Sequence, residues 1–354
     1  MAEPRSLPRL LHAVREFAIV LTIGSGLLAF LEVGLRLGGF EYHAPAPIVS
    51  GIDLIHRSHP YWLWEPAPGA QVPSCGTERI NLAGFRGRER SVSHPPSKVR
   101  IVTLGDSSTF GAKVCSEQAY PAILERKLPG SEVLNFGVIG FTAFQGEKLL
   151  AGRVLDYRPD VILAAFGAFN EGRPAVGHDV ESRFAIASRA PWVVAMRDRF
   201  QDLRIFELAE RFVVGRQQDP VDEAVTNWQA AVRGGEFVHN QSVPSFEHSL
   251  ETIVALGRSK GARVALIIPP RRATVEVTFP YLEDYDAAIG RVAARSGVPC
   301  WDVRASFRRM PDADESLFFD AVHPNVAGHR LWAQLLAEHV GHILRGEPDV
   351  SDCS

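Results

Sequence analysis

Residues Val99 to Gly111 read VRIVTLGDSSTFG, and this run constrains the fold more than any other stretch. Val99 to Leu104 is β-branched and apolar, the pattern of a strand buried on both faces. It stops abruptly at Gly105-Asp106-Ser107-Ser108. Glycine permits a sharp exit from a strand. Asp, Ser and Thr are helix N-cap types, so a helix is expected to start near Thr109. A serine at the C-terminal end of a buried parallel strand stands where open α/β sheets present their chemistry. A helix N-terminus beside it offers backbone N–H donors to an anion. Ser107 is therefore a candidate nucleophile. Ser and Asp are also ordinary turn residues, so partners elsewhere in the chain must decide.

The same alternation recurs downstream. Short apolar strands are predicted at Val133–Phe136, Val161–Phe166, Arg263–Ile268 and Pro299–Val303. Helices are predicted at Tyr120–Leu128, Glu147–Leu155, Tyr281–Arg295 and Ala327–Leu344. Strands alternating with helices at this spacing imply a parallel sheet with right-handed crossovers. At 354 residues the chain can bury a sizeable core. The net charge of -3, without a basic stripe interleaved with aromatics, excludes nucleic acid as an expected partner. Cys75, Cys115, Cys300 and Cys353 lack metal-ligand spacing, no His/Asp cluster has it, and the Gly105 region lacks the G-x-x-x-x-G-K-(S/T) phosphate loop, so no metal and no cofactor is expected.

Between residues 172 and 245 the alternation lapses, with helical pieces at Pro191–Arg204, Ile205–Val214 and Asp222–Val232. That length is too great for a plain loop. It reads as a helical insertion covering one end of the sheet, either a lid or an extra packing subdomain.

The N-terminus carries Arg5, Arg9 and Arg15 and then an uncharged run from Phe17 to Leu31. Apolar character continues to Phe40, interrupted by Glu32 and Arg36, which at i, i+4 can pair on one helix face. Counting these in, the segment is long enough to cross a bilayer. Basic residues ahead of it place the N-terminus in the cytoplasm and the rest outside. Pro47 after Ala44-Pro45-Ala46 disfavours signal cleavage, so an uncleaved anchor is expected. Residues 41 to 98 are rich in Pro and Gly. They hold the aromatics Tyr61, Trp62 and Trp64, a short strand at Arg79–Leu82 and a turn at Gly84–Gly87. The aromatics are read as capping the edge of the core.

Polar residues collect at the predicted strand ends: Ser107, Gly140 and Asn170, with Asp320 and His323 three residues apart near the C-terminus. Histidine is a general base suited to neutral pH, and a carboxylate on its other ring nitrogen sets the tautomer. Serine is a poor nucleophile without such a base. Gly140 and Asn170 can supply donors to a developing oxyanion.

These residues resemble the SGNH (GDSL-type) hydrolases. Gly105-Asp106-Ser107 is similar to that family's first block, Asn135 to Gly140 to its second, and the segment holding Asn170 to its third. Asp320 and His323, followed by Pro324, Asn325 and Gly328, match the last. The third block departs by one extra residue after Gly167 and by Glu171 where Asp is usual. The N-terminal hydrophobic segment and the stretch Asn81 to Gly87 resemble one anchored subgroup.

The resemblance implies a flavodoxin-like three-layer α/β/α sandwich and a serine esterase mechanism. Ser107 would attack an ester carbonyl, His323 act as base and Asp320 orient it. The Ser107 and Gly140 N–H groups and the Asn170 side chain would form the oxyanion hole. The expected division is a cytoplasmic segment (1–16), a transmembrane anchor helix (17–40) and a Pro/Gly-rich lead-in (41–98). A hydrolase domain (99–346, with the insertion at 172–245) and a tail (347–354) follow. The expected activity is hydrolysis of acetyl or acyl esters on a cell-envelope glycan or lipid, by a domain held periplasmic or at the cell surface. An O-acyltransferase with the same residues and a catalytically silent binding module are the competing readings. Outside the cytoplasm Cys75 and Cys115 could be bridged, but separate buried thiols are preferred. Arg271 and Arg272 are read as surface arginines that could meet an anionic substrate.

Overall fold

The computed structural model describes residues 7–40, 55–73, 75–175, 178–189, 191–200, 203–206, 208–209, 237–347 and 353. The chain divides into two compact units, Met1–Ala46 with Ala195–Pro220, and Pro47–Val194 with Val221–Ser354.

In the smaller unit a continuous helix of 31 residues runs Leu7–Leu37. It starts earlier than expected because nothing between Leu7 and Phe17 breaks it, and it ends before Gly39, whose φ of 64° suits no continuing helix. Its stretch His12–Leu37, 26 residues with an apolar window of mean hydropathy 2.0 and none of it buried, is long and apolar enough to cross a membrane. Arg36 pairs with Glu32 at 2.7 Å as the i, i+4 spacing predicts. The Glu32 carboxylate also accepts the N–H groups of Arg204 (3.1 Å) and Ile205 (3.0 Å).

In the larger unit five parallel strands form one sheet among the described residues: β3 (Val99–Gly105), β4 (Ser131–Gly137), β5 (Val161–Ala165), β6 (Arg263–Ile268) and β7 (Cys300–Asp302). Their order is β4-β3-β5-β6-β7, with β3 paired to β4 and β5 over most of its length. Alternate residues of these buried strands feed two separate cores. Val102, Leu104, Ile162, Ala164, Val264 and Leu266 pack with helices Ala143–Gly152, Val243–Ser259 and Leu282–Ser296. Ile101, Val161, Leu163, Ala265 and Ile267 pack on the other face, with helices Tyr120–Lys127 and Val326–Arg345. The result is a three-layer α/β/α sandwich. Burial on both faces explains why the strands read as unbroken apolar runs rather than alternating ones.

The lead-in belongs to this larger unit. Its hairpin, β1 (His56–His59) with β2 (Leu63–Pro66), was not foreseen. The expected strand at Arg79–Leu82 is absent, because Arg79 makes one isolated bridge to Gln71 and Asn81 closes a turn onto Phe85 instead. The expected helix Glu147–Leu155 runs Ala143–Gly152 and gives way to a tighter turn at Val154–Tyr157. Helix Val243–Ser259, capped by Ser242, takes over where the insertion was expected to end. Of the insertion, helices Val180–Arg189 and Pro191–Phe200 are described; Asp222–Val232 lies outside the described residues.

The preference for separate thiols is corrected: Cys75 is disulfide-bonded to Cys115, with Cα atoms 5.3 Å apart, and Cys300 to Cys353. Folding of the lead-in onto the segment after Ser107 brings the first pair together, and no local spacing announces it. Closing a loop of sequence separation 40 makes the Cys75→Ser variant about 2–4 kcal/mol less stable, read from urea midpoints under oxidising conditions. A second expected outcome concerns Gly137, where an added Cβ would stand 2.2 Å from the Phe110 backbone nitrogen. Gly137→Ala forces backbone apart and is expected to cost about 2–4 kcal/mol in the same measurement.

Candidate active site

Strand β3 ends at Gly105, where a side chain would strike Ala165 O at 2.4 Å and Thr109 Oγ1 at 2.3 Å. The chain turns at once into a four-residue helix, Ser107–Phe110, capped by Asp106, whose Oδ1 accepts the Ser108 N–H at 2.8 Å. Gly111, at φ 80°, ends it in the left-handed conformation. Ser107 is thus the first helical residue, and its N–H has no partner within so short a helix.

Ser107 Oγ lies 2.9 Å from His323 Nε2, and His323 Nδ1 lies 2.9 Å from both oxygens of Asp320. Ser107 and His323 are 216 positions apart in the chain. The loop carrying Asp320 and His323 is fixed by Asp320 Oδ1, which accepts the Val322 and His323 N–H groups at 3.1 and 3.0 Å. Ser108 Oγ donates to Val322 O at 3.0 Å, fastening this loop to the nucleophile helix. From the end of β6, the Arg272 N–H donates to Ala321 O (3.0 Å) and its guanidinium to Phe318 O (3.3 Å).

Gly140 sits in the turn after β4 at φ 78°, a backbone conformation that favours glycine. The turn is held by Trp64, whose indole N–H donates to Ile139 O at 2.9 Å and whose ring meets Phe141 edge-on. Trp62 and Trp64 are buried, as expected of core-capping aromatics, whereas Tyr61 is exposed. The Asn170 amide donates to Phe141 O at 3.1 Å and reaches Asp106 Oδ2 at 3.4 Å. All five sequence-predicted site residues therefore collect at the C-terminal ends of β3, β4 and β5 and in the loop facing them.

Charge is distributed unevenly over this site. Burial pushes the Asp106 carboxyl up to about 6, against the pull of the Ser108 N–H and of His323. Burial, and then the charge of Asp106, raise Glu171 well above the ordinary glutamate range. Glu171 accepts the Ala143 N–H at 3.0 Å, and its other oxygen has no partner. Burial also opposes charge on Asp320, but hydrogen bonds from His323 and Lys113 outweigh it and hold that carboxyl well below the usual range.

Sequence reasoning singles out neither Ser108 nor Lys113 as a site residue, and it gives Trp64 and Arg272 no part in holding the loops of the site. The reading of Arg271 is corrected: it is 4% exposed, paired with Asp286 at 2.9 Å and Glu276 at 3.1 Å, and does not offer itself to substrate. Arg272 is half-buried against the His323 loop. Among the described residues, Cys75, Glu78 and Cys115 alone group closely enough to hold a metal ion, and there the two sulfurs are joined to each other.

Residues 103–331 match the family model described as the GDSL-like lipase/acylhydrolase family, which is well over half of the chain. The chain belongs to this family. It is a carboxylic ester hydrolase. No curated protein sequence matches it. Among solved structures it is similar to a lipase/acylhydrolase from Enterococcus faecalis, at 20% identity over 68% of this chain and 95% of that one, TM-score 0.45. It is also similar to an acetylxylan esterase from Geobacillus stearothermophilus, at 15% identity over 70% of this chain and 97% of that one, TM-score 0.44.

The raised Asp106 carboxyl has a consequence for this hydrolase. Its ionised form opposes folding above about pH 6, and the penalty vanishes below its ordinary value of 3.8, where the proton is bound in both states. Asp106→Asn keeps an acceptor for the Ser108 N–H. It is expected to gain about 1–2 kcal/mol in urea unfolding at pH 8, with the gain closing as pH falls towards 4.

Proposed function

We propose that the chain is a membrane-anchored serine esterase in which Ser107, His323 and Asp320 form the catalytic triad. The observation that carries this reading is the continuous line from Ser107 Oγ through His323 to Asp320, each step 2.9 Å. With the Nδ1 proton directed at Asp320, Nε2 is free to take the Ser107 proton as Oγ attacks the ester carbonyl. The imidazolium then protonates the leaving alcohol, and water releases the acyl group by the reverse sequence. The N–H groups of Ser107 and Gly140 and the Asn170 amide receive the oxyanion. One Asn170 N–H is committed to Phe141 O, while the other makes a long contact with Asp106 that an oxyanion would replace.

The helix Leu7–Leu37 serves as the anchor, with the catalytic unit outside the cytoplasm. Arg5, Arg9 and Arg15 ahead of the apolar run support that orientation, and two disulfides suit an oxidising compartment. The substrate is then an acetyl or longer acyl ester on an envelope glycan or lipid.

The test is hydrolysis of p-nitrophenyl acetate, butyrate and octanoate by the full chain in detergent. Release is expected to vanish in Ser107→Ala, and to fall about a hundred- to thousand-fold in Asn170→Ala with folding intact. Wild-type turnover by Ser107→Ala would overturn the triad. Acyl groups appearing on an added glycan, in preference to water, would make the enzyme a transferase.

A further inference from the structure

Asp320 has a cationic partner besides the His323 ring. The Lys113 ammonium lies on Asp320 Oδ2, joining residues 207 positions apart in the chain. Lys113 is held for this contact from both sides. Its backbone is in the left-handed region at φ 69°, which disfavours any residue carrying a Cβ. The buried Arg86 guanidinium donates to Gly111 O and Val114 O, the carbonyls flanking Lys113, and to Phe110 O of the nucleophile helix. Arg86 is itself paired with Glu78 at 3.0 Å, and Cys115, two residues beyond Lys113, is bridged to Cys75. A left-handed lysine inside so tightly fastened a loop carries a local backbone cost, and it places its charge on the triad carboxylate.

We propose that Lys113 is a positioning residue of the triad, which fixes the Asp320 carboxylate and cancels part of its charge so that His323 stays an available base further into acid. This rests on the triad reading of Ser107, His323 and Asp320. Several other groups face the imidazole or its carboxylate. Asp106 lies at the cap of the nucleophile helix. His329, on helix Val326–Arg345, is pushed down to about 3 by burial and then by Arg86 and His323, so it is neutral. Arg272 reaches the same loop at Phe318 O rather than at Asp320. Without Lys113, the carboxylates of Asp320 and Asp106 act on the imidazole with less opposition, which favours its protonated, inactive form.

The experiment is the pH dependence of kcat/KM for p-nitrophenyl acetate from pH 5 to 9, with the full chain in detergent at low salt. In Lys113→Met the acidic limb is expected to move to higher pH by about half to one unit. Molar salt should shrink the difference, since the pair is half exposed. Lys113→Arg keeps the charge and should leave the limb in place. Lys113→Gly suits the left-handed backbone while removing the charge, and should shift the limb as far as Met does. A role confined to loop stability would change the melting temperature without moving the limb. Limbs of the Met and Gly variants that superimpose on the wild type would overturn the proposal, as would an Arg variant displaced as far as Met. Failure of the triad reading is seen separately, as retained turnover in Ser107→Ala.

Discussion

The close approach of backbone to backbone at the end of β3 is the constraint on which this catalytic unit depends. Gly105 lets the chain pass Ala165 O, and Gly137 lets β4 run against the Thr109–Phe110 backbone. Between them the four-residue helix is wedged onto the sheet edge. So short a helix has no stability of its own. Its geometry is borrowed from its surroundings: the Asp106 cap, the Asn135 side chain at 3.3 Å and Arg86 at 3.0 Å on Phe110 O, and Ser108 on Val322 O. The last bond matters most for chemistry, because it sets the His323 loop from the same helix that presents Ser107.

Two carboxylates compete for the description of an acid beside His323, and their environments separate them. Asp106 is buried beside Glu171, and burial pushes its carboxyl up to about 6. Asp320 is part-exposed, takes two backbone N–H groups, the His323 ring and the Lys113 ammonium, and holds its charge firmly. A carboxylate that must orient an imidazole and stabilise it when protonated has to stay ionised. Position in a motif would not separate these two aspartates; solvation and hydrogen bonding do.

The sheet was legible because buried parallel strands announce themselves as apolar runs broken by glycine. Arg263–Ile268 matches the expectation residue for residue, and Val99–Leu104 falls one residue short. The Asp320–His323 spacing and the strand-end positions of Ser107, Gly140 and Asn170 were legible for a related reason, since local turn chemistry places each of them. The β1–β2 hairpin was not, because HRSH and LWEP carry no alternation. Nor were Arg86, Lys113, Arg272 and the two disulfides. Each acts on a group far away in the chain, so only the tertiary fold reveals its partner.

That pattern has a consequence for where the catalytic unit begins. The family match starts at residue 103, yet several groups that fix the site lie ahead of it. Trp64 fixes the Gly140 turn through Ile139 O. Arg86 holds three carbonyls around the nucleophile helix, and Asn81 shapes the turn that delivers Arg86 by accepting the Phe85 N–H at 3.0 Å. Cys75 ties down the segment carrying Lys113. A chain begun at residue 99 would keep every triad residue and lose each of these restraints. In their absence Val114 O and Ile139 O would have to find water, Phe110 O and Gly111 O would each lose one donor, and the loops bearing them would relax. The lead-in from Ile55 is therefore part of the enzyme's site rather than a tether to it, and the smallest piece able to hold this geometry includes it.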